Sequence, residues 1–236
     1  MRVLGIETSG TLCGCAIVED GRLAGEMVSH VPGAHVEKLV QLIASLLNEI
    51  SVGVEGLDGV AVSLGPGSFT GLRIGLGTAK GMCFGTGLPL AGVPTLDAMA
   101  ETACPWDGNV VPVRDARRGE IYLATYRNSG SPPERTSDYL ALTPEEAGRR
   151  IAELARQEKT LVTGDALERY GELLRDMVPD EVVFLPEAKW MPSPAVIAAI
   201  GLRLIGQGRT LDLAASEPLY LRRSEAERGL KGSGAS

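Results

Sequence analysis

Two acidic residues follow apolar, strand-like runs: Glu7 after Val3-Leu4-Gly5-Ile6, and Asp115 after Val110-Val111-Pro112-Val113-Arg114. Carboxylates at the tips of two facing hairpins could bind Mg²⁺ or activate a water molecule. The same side chains could instead accept N–H bonds from their own turns. Residue type leaves both readings open. Other chemistries have less to work with. The chain holds two histidines, His30 and His35, which straddle Pro32-Gly33 and cannot share a helix. A helical zinc pair needs i, i+4 spacing with an acid nearby. Four cysteines (Cys13, Cys15, Cys83 and Cys104) are scattered without a second pair, so they read as reduced structural thiols. No Gly-x-Ser-x-Gly elbow anchors a serine hydrolase.

The glycine-rich stretch from Ser63 to Gly81 is the most distinctive part of the sequence. Its start, Gly65-Pro66-Gly67-Ser68, could present free N–H groups to an anion at a helix N-terminus. It is not a Walker A loop, because Lys80 is followed by Gly81, and it misses the dinucleotide fingerprint by one position. A tight turn leading into a closely packed helix fits better. At 100° per residue, Leu72, Leu76, Ala79 and Cys83 form one stripe. Gly71, Gly75, Thr78 and Gly85 form a second, with Met82 between the two, and Arg73 and Lys80 form a narrow charged edge read as solvated. A helix that is apolar or small on two faces is buried on two faces, and small residues let another helix come close.

These residues need a scaffold. The chain has 236 residues, 44% hydrophobic and 22% charged, enough for one large domain or two small ones. No apolar run reaches the roughly 18 residues of a membrane span. Glu7 is too early for a secretory signal, so cytoplasmic residence is expected. A net charge of −7 without a basic run argues against unaided nucleic-acid binding, since that affinity rests on neutralising phosphates.

Strands are expected at 2–8, 12–18 and 22–29, with an Asp20-Gly21 hairpin turn. A helix is expected from His35 to Ile50 with an apolar arc wider than a surface helix needs. A strand at 58–63, the glycine-rich helix, a strand near 89–92 and a helix capped by Thr95 complete a first lobe, residues 1–103. Cys104 to Asn109 marks a boundary. The strand–acid–turn–strand pattern then repeats from Val110 to Tyr126, which suggests a related second lobe at 104–192. Within it, 128–138 reads as a polar loop and Thr143-Pro144-Glu145-Glu146 as a capping box. A last helix, about 193–207, is expected to pack back on the first lobe, and 224–236 to form a disordered tail.

Five segments carry a family resemblance: Ile6-Glu7-Thr8-Ser9, Gly33 to Leu39, the Ser63–Lys80 block, Asp115 to Tyr122, and Pro218 to Arg223. In this order they resemble the TsaB (YeaZ) family over residues 1 to about 223. The resemblance implies an α/β, two-lobed actin-like ATPase or sugar-kinase fold, with mixed sheets flanked by helices and a degenerate active site. It implies a scaffold or dimerisation subunit required by the paralogue TsaD for threonylcarbamoyl transfer to the tRNA adenosine next to the anticodon. TsaD's His-x-x-x-His metal site has no counterpart here, so no catalytic residue is carried over. The implied partners are TsaD as a heterodimer, the TsaE ATPase, tRNA only through the complex, and a second copy when the chain is alone. No intrinsic cofactor is implied, with ATP or ADP bound only in the assembled complex.

The family's contact surface uses the first two helices of the first lobe. Here that points to Val36, Leu39, Val40, Ile43, Gly71, Gly75, Thr78 and Met82. The degenerate nucleotide cleft would comprise Glu7, Thr8, Ser9, Asp115 and Arg117. The competing function is an ATP-dependent phosphotransferase of the sugar-kinase class. A metallopeptidase, a label attached to the wider family, lacks a visible ligand set.

Overall fold

The computed structural model describes residues 1–30, 35–130 and 132–221, with the backbone alone at 35–37. The expected tail at 224–236 and the side chain of Val36 lie outside the described residues.

The first half opens with a three-strand meander: β1 (Arg2–Glu7), β2 (Cys13–Glu19) and β3 (Arg22–Ser29). Then come α1 (His35–Glu49), β4 (Gly59–Gly65), α2 (Phe69–Thr86), β5 (Leu90–Pro94) and α3 (Thr95–Thr102). The sheet order is β3-β2-β1-β4-β5. β1 runs antiparallel to β2 and parallel to β4, with Gly5 opposite both Ala16 and Ala61.

The second half repeats this plan with one insertion. It contains β6 (Gly108–Asp115), β7 (Ile121–Leu123), β8 (Tyr126–Asn128), β9 (Glu134–Arg135), β10 (Leu140–Leu142), α4 (Pro144–Ala155), β11 (Thr160–Thr163), α5 (Ala166–Met177), β12 (Val183–Phe184) and α6 (Pro194–Gly206). The main path is β10-β7-β6-β11-β12, and β8 pairs with β6 and β9 on the side. β6 is antiparallel to β7 and parallel to β11, as β1 is to β2 and β4. The polar stretch read as a loop therefore contributes the short strand β9, and the single strand expected over Glu120–Tyr126 breaks at Ala124-Thr125, with β8 starting at Tyr126.

Each half ends in a helix that serves the other half or the joint between them. α6 follows the second sheet but lies on the first: Ile197 and Ile200 pack with Val3, Ala61, Ala91 and Val93. Gly5 and Gly201 make this close approach possible. A Cβ on Gly5 would stand 2.4 Å from the Ala198 nitrogen, and one on Gly201 2.2 Å from the Ala61 Cβ. α3, expected within the first lobe, sends Leu96, Met99 and Ala100 into a cluster with Val110, Ala124, Tyr126 and Leu161 of the second. Its Asp97 accepts hydrogen bonds from Tyr126 (2.6 Å) and Tyr139 (2.8 Å). Thr95 is not the cap: Pro94 occupies that position and Thr95 is buried in the first turn. The apolar arc of α1 goes largely to the first core, through Leu39, Ile43, Leu46 and Leu47.

After α6 the chain returns along the first lobe. Leu211 N–H bonds to Leu90 O and Leu219 N–H to Leu64 O, both at 2.8 Å. Arg73 is exposed, as expected of a solvated edge, and Lys80 is half-buried; both also hold this strap. Arg73 Nε donates to the Tyr220 hydroxyl (3.0 Å) and Lys80 Nζ to Ser216 O (2.8 Å). Among the described residues no helix is long and apolar enough to cross a membrane.

Candidate functional site

The two acids sit where the pattern placed them, at the ends of the leading strands of both halves. Each turns back on its own hairpin. Glu7 Oε1 accepts the Ser9 N–H at 2.5 Å, and Asp115 Oδ1 accepts the Arg117 N–H at 2.8 Å. Both contacts span two residues, so the duplicated strand end carries a duplicated turn. Asp115 Oδ2 also meets the exposed Arg117 guanidinium at 3.3 Å. Arg117 and Arg118 both hold positive φ, 61° and 55°, in the turn before Gly119.

Glu7, Thr8 and Ser9 are completely buried. Burial pushes the Glu7 carboxyl up, against the opposing pull of Ser9 and of the Arg114 charge. Its Oε2, like Thr8 Oγ1, has no hydrogen-bond partner among the described residues.

A side chain of the second half reaches across to the first. Arg114, on β6, is 3% exposed. Its guanidinium donates to Ser9 Oγ (3.0 Å) and Ser9 O (2.9 Å) across the lobes. Its Nε lies 3.3 Å from Asp165 Oδ1, which also accepts the Asp115 N–H at 3.1 Å. Met191 packs closely on Gly10 of the first turn, where a Cβ would stand 2.1 Å from its Cε. Among the described residues no group of three or more His, Cys, Asp or Glu side chains is placed to hold a metal ion.

The helical face differs from expectation in its details. Gly71 and Gly75 do not face outward. A Cβ on Gly71 would lie 2.0 Å from Thr8 O, and one on Gly75 2.2 Å from Thr8 Oγ1, so this stripe seats α2 on Thr8, just past β1 of the same lobe. Leu39 (0% exposed) and Ile43 (5%) belong to the first core, and Met82 packs against it half-buried. Thr78 is also half-buried. Of the expected contact residues with described side chains, Val40 is open, at 59%.

A different stripe of α2 faces outward. Gly77, Gly81 and Gly85 recur every four residues, and a Cβ on any of them would meet no atom beyond the helix's own backbone within 4 Å. Beside them stands Phe84, 86% exposed. The small stripe expected at Gly71, Gly75, Thr78 and Gly85 does permit close packing, but at Gly71 and Gly75 the neighbour is Thr8 of the same chain, and of its glycines Gly85 is the one left open. The i, i+4, i+8 spacing of Gly77, Gly81 and Gly85 places these three open positions on one side of the helix. Arg114 was visible within a basic cluster, but its neighbours gave no sign that it points inward.

Two sheets of like topology, each headed by a hairpin and flanked by helices, with a cleft between them, define the two-lobed actin-like ATPase and sugar-kinase class. Solved structures agree. The chain matches YeaZ from Pseudomonas aeruginosa with a TM-score of 0.80, 24% identity and coverage of 93% of this chain and 99% of that one. It matches a ROK hexokinase from Thermus thermophilus at a TM-score of 0.50 and 13% identity, covering 86% and 99% of the two chains. Residues 29–229 match a family model described as TsaD: tRNA N6-adenosine threonylcarbamoyltransferase. A protein named tRNA threonylcarbamoyladenosine biosynthesis protein TsaB from Escherichia coli (strain K12) is 32% identical, over 98% of this chain and 99% of its own. The protein of the same name from Bacillus subtilis (strain 168) is 26% identical over 96% of each. The chain belongs to the TsaB (YeaZ) family.

Proposed function

We propose that this chain is a scaffold subunit of tRNA threonylcarbamoyladenosine biosynthesis. It has no reaction centre of its own and docks a TsaD-type paralogue, which transfers the threonylcarbamoyl group to the adenosine beside the anticodon. The observation that carries this reading is the outward face of α2, where Gly77, Gly81 and Gly85 lie open next to the exposed Phe84. Glycines permit close backbone approach, and a large exposed ring beside them is stabilised by being covered. Val40 of α1 adds to the uncovered apolar surface. In isolation the same face pairs two copies of the chain, because an isologous contact covers it on both.

The other partners follow from charge and from the cleft. A net charge of −7 leaves the tRNA to be gripped by the complex rather than by this chain. The TsaE ATPase and its nucleotide then act on the assembly, with ATP or ADP bound there and not by the free chain. Work on tRNA implies a cytoplasmic protein. The phosphotransferase reading needs Glu7 and Asp115 to face a metal across the cleft. Glu7 Oε1 and Asp115 Oδ1 instead each accept an N–H of their own turn, and Arg114 reaches across between the lobes to Ser9.

The test is reconstitution of the tRNA modification from purified paralogue, ATPase, tRNA and substrates, with and without this chain. The modification is expected only with it. Phe84→Glu and Gly81→Leu are expected to abolish pull-down of the paralogue while leaving the circular dichroism spectrum unchanged. Full modification without the chain, or calorimetric binding of Mg-ATP to the chain alone, would overturn the reading.

A further inference from the structure

Ser9 lies just past the end of β1, in a turn without ladder partners. Four hydrogen bonds to three residues locate it. Its N–H is held by Glu7 Oε1, its hydroxyl and carbonyl by the Arg114 guanidinium, and the same carbonyl accepts the Ser68 N–H at 2.7 Å. Ser68 is the cap of α2, and its own Oγ accepts the Gly71 N–H at 3.2 Å. No room separates α2 from this turn: a Cβ on Gly67 would stand 2.3 Å from Ser9 O, and one on Gly71 2.0 Å from Thr8 O. The start of α2 is thus seated on Thr8-Ser9, and a side chain from the other lobe holds that seat.

We propose that Arg114 is a positioning residue for the docking face, acting on α2 through Ser9. The proposal rests on the docking reading given above. The geometry works as a lever. Phe84 is fifteen residues beyond Phe69, which at the helical rise is about 22 Å along the axis. A small tilt at the seat becomes a larger displacement at the exposed ring. Asp165 orients the guanidinium and is itself tied to the Asp115 N–H, so the second lobe controls the aim of a helix face that lies in the first.

The experiment compares backbone amide exchange in the full-length wild type, Arg114→Met and Arg114→Lys, together with their affinity for purified TsaD-type paralogue. Arg114→Met is expected to speed exchange at Ser68, Gly71 and Leu72 about tenfold, leave α4 unchanged, and weaken association about tenfold. Arg114→Lys, which retains a cation able to reach the Ser9 carbonyl, is expected to recover most of both. Unchanged exchange at Ser68 overturns the clamp, and a uniform rise through α4 and α5 reduces Arg114 to a general structural role. Altered exchange with intact affinity overturns the link to docking. If Arg114→Met does not fold, Ser9→Ala decides: the same local pattern at smaller size supports the clamp, and none overturns it. Phe84→Glu is the separate check on the face itself, since intact association there defeats the docking reading without touching the exchange result.

Discussion

Arg203 of α6 and Glu101 of α3 form a two-pronged ion pair, with Nη1–Oε1 and Nη2–Oε2 distances of 2.8 and 2.6 Å. It joins the two helices that close the two halves, one resting on the first sheet and the other reaching into the second. The carboxylate raises the Arg203 pKa through its hydrogen bonds, against the cost of burial. Glu101→Gln and Arg203→Met should each destabilise the protein by about 1–2 kcal/mol, because the contact is charge-assisted but partly exposed. A double-mutant cycle by urea denaturation checks it. Additive single effects would mean that the pair contributes no coupling between the halves.

Glu7 should leave a signature in the pH dependence of stability. Its folded pKa is raised by burial, so the native state keeps the proton over a range where the unfolded chain has released it. The contribution of this group is complete below the unfolded value of about 4.3 and is lost as pH rises through the folded value. Glu7→Gln keeps an acceptor for the Ser9 N–H and removes the titration. The difference in stability, variant minus wild type, should therefore grow more favourable from pH 4 to pH 8. Guanidinium denaturation at four or five pH values measures it, and parallel curves would show that Glu7 titrates normally.

The sequence discloses the duplication more readily than the faces. An acid after an apolar strand is a local pattern, so Glu7 and Asp115 can be matched from residue order alone, and their two turns are alike. The capping box at Thr143 and Glu146 is equally local and forms as read. Which side of α2 turns outward is not local. The wheel places Gly71 and Gly75 on one stripe, but the Thr8 atoms that fill their missing Cβ space come from 63 to 67 residues earlier in the chain. Arg114 illustrates the same limit. In a run of Arg114, Arg117 and Arg118 only the strand register separates a buried guanidinium from two exposed ones, and the break between β6 and the following turn sets that register.

The strap after α6 should be a measurable part of the stability of α2. Tyr220 lies with its ring centroid 5.4 Å from that of Phe69, and the Arg73 guanidinium is 3.8 Å from the Phe69 centroid. An aromatic pair with a neighbouring guanidinium contributes about 0.5–1.5 kcal/mol beyond simple burial. Tyr220→Ala should cost about 1 kcal/mol and speed exchange of the Leu219 amide, which bonds to Leu64 O. Lys80→Ala should act in the same direction through Ser216. If Tyr220→Ala leaves Leu219 exchange unaltered, the rosette does not hold the strap.

The glycines of α2 should separate fold from docking by the sign of their effects. At Gly71 a methyl group would run into the Thr8 carbonyl at 2.0 Å, a backbone atom with little freedom to move. Gly71→Ala should therefore destabilise by at least about 1–3 kcal/mol, the range for overpacking a tight contact. At Gly81 a methyl group meets no atom beyond the helix itself. Gly81→Ala removes a residue that costs an exposed helix interior about 0.5–1 kcal/mol, so the isolated chain should become more stable by up to that amount. The same added carbon narrows the groove that a partner helix would enter. Gly81→Ala should thus raise the denaturation midpoint of the isolated chain while weakening both self-association and capture of the paralogue, and Gly81→Leu should weaken association more strongly. Sedimentation velocity alongside thermal unfolding reads both quantities on one sample. A stabilised Gly81→Ala that associates as tightly as the wild type would show that this stripe is not where the partner docks.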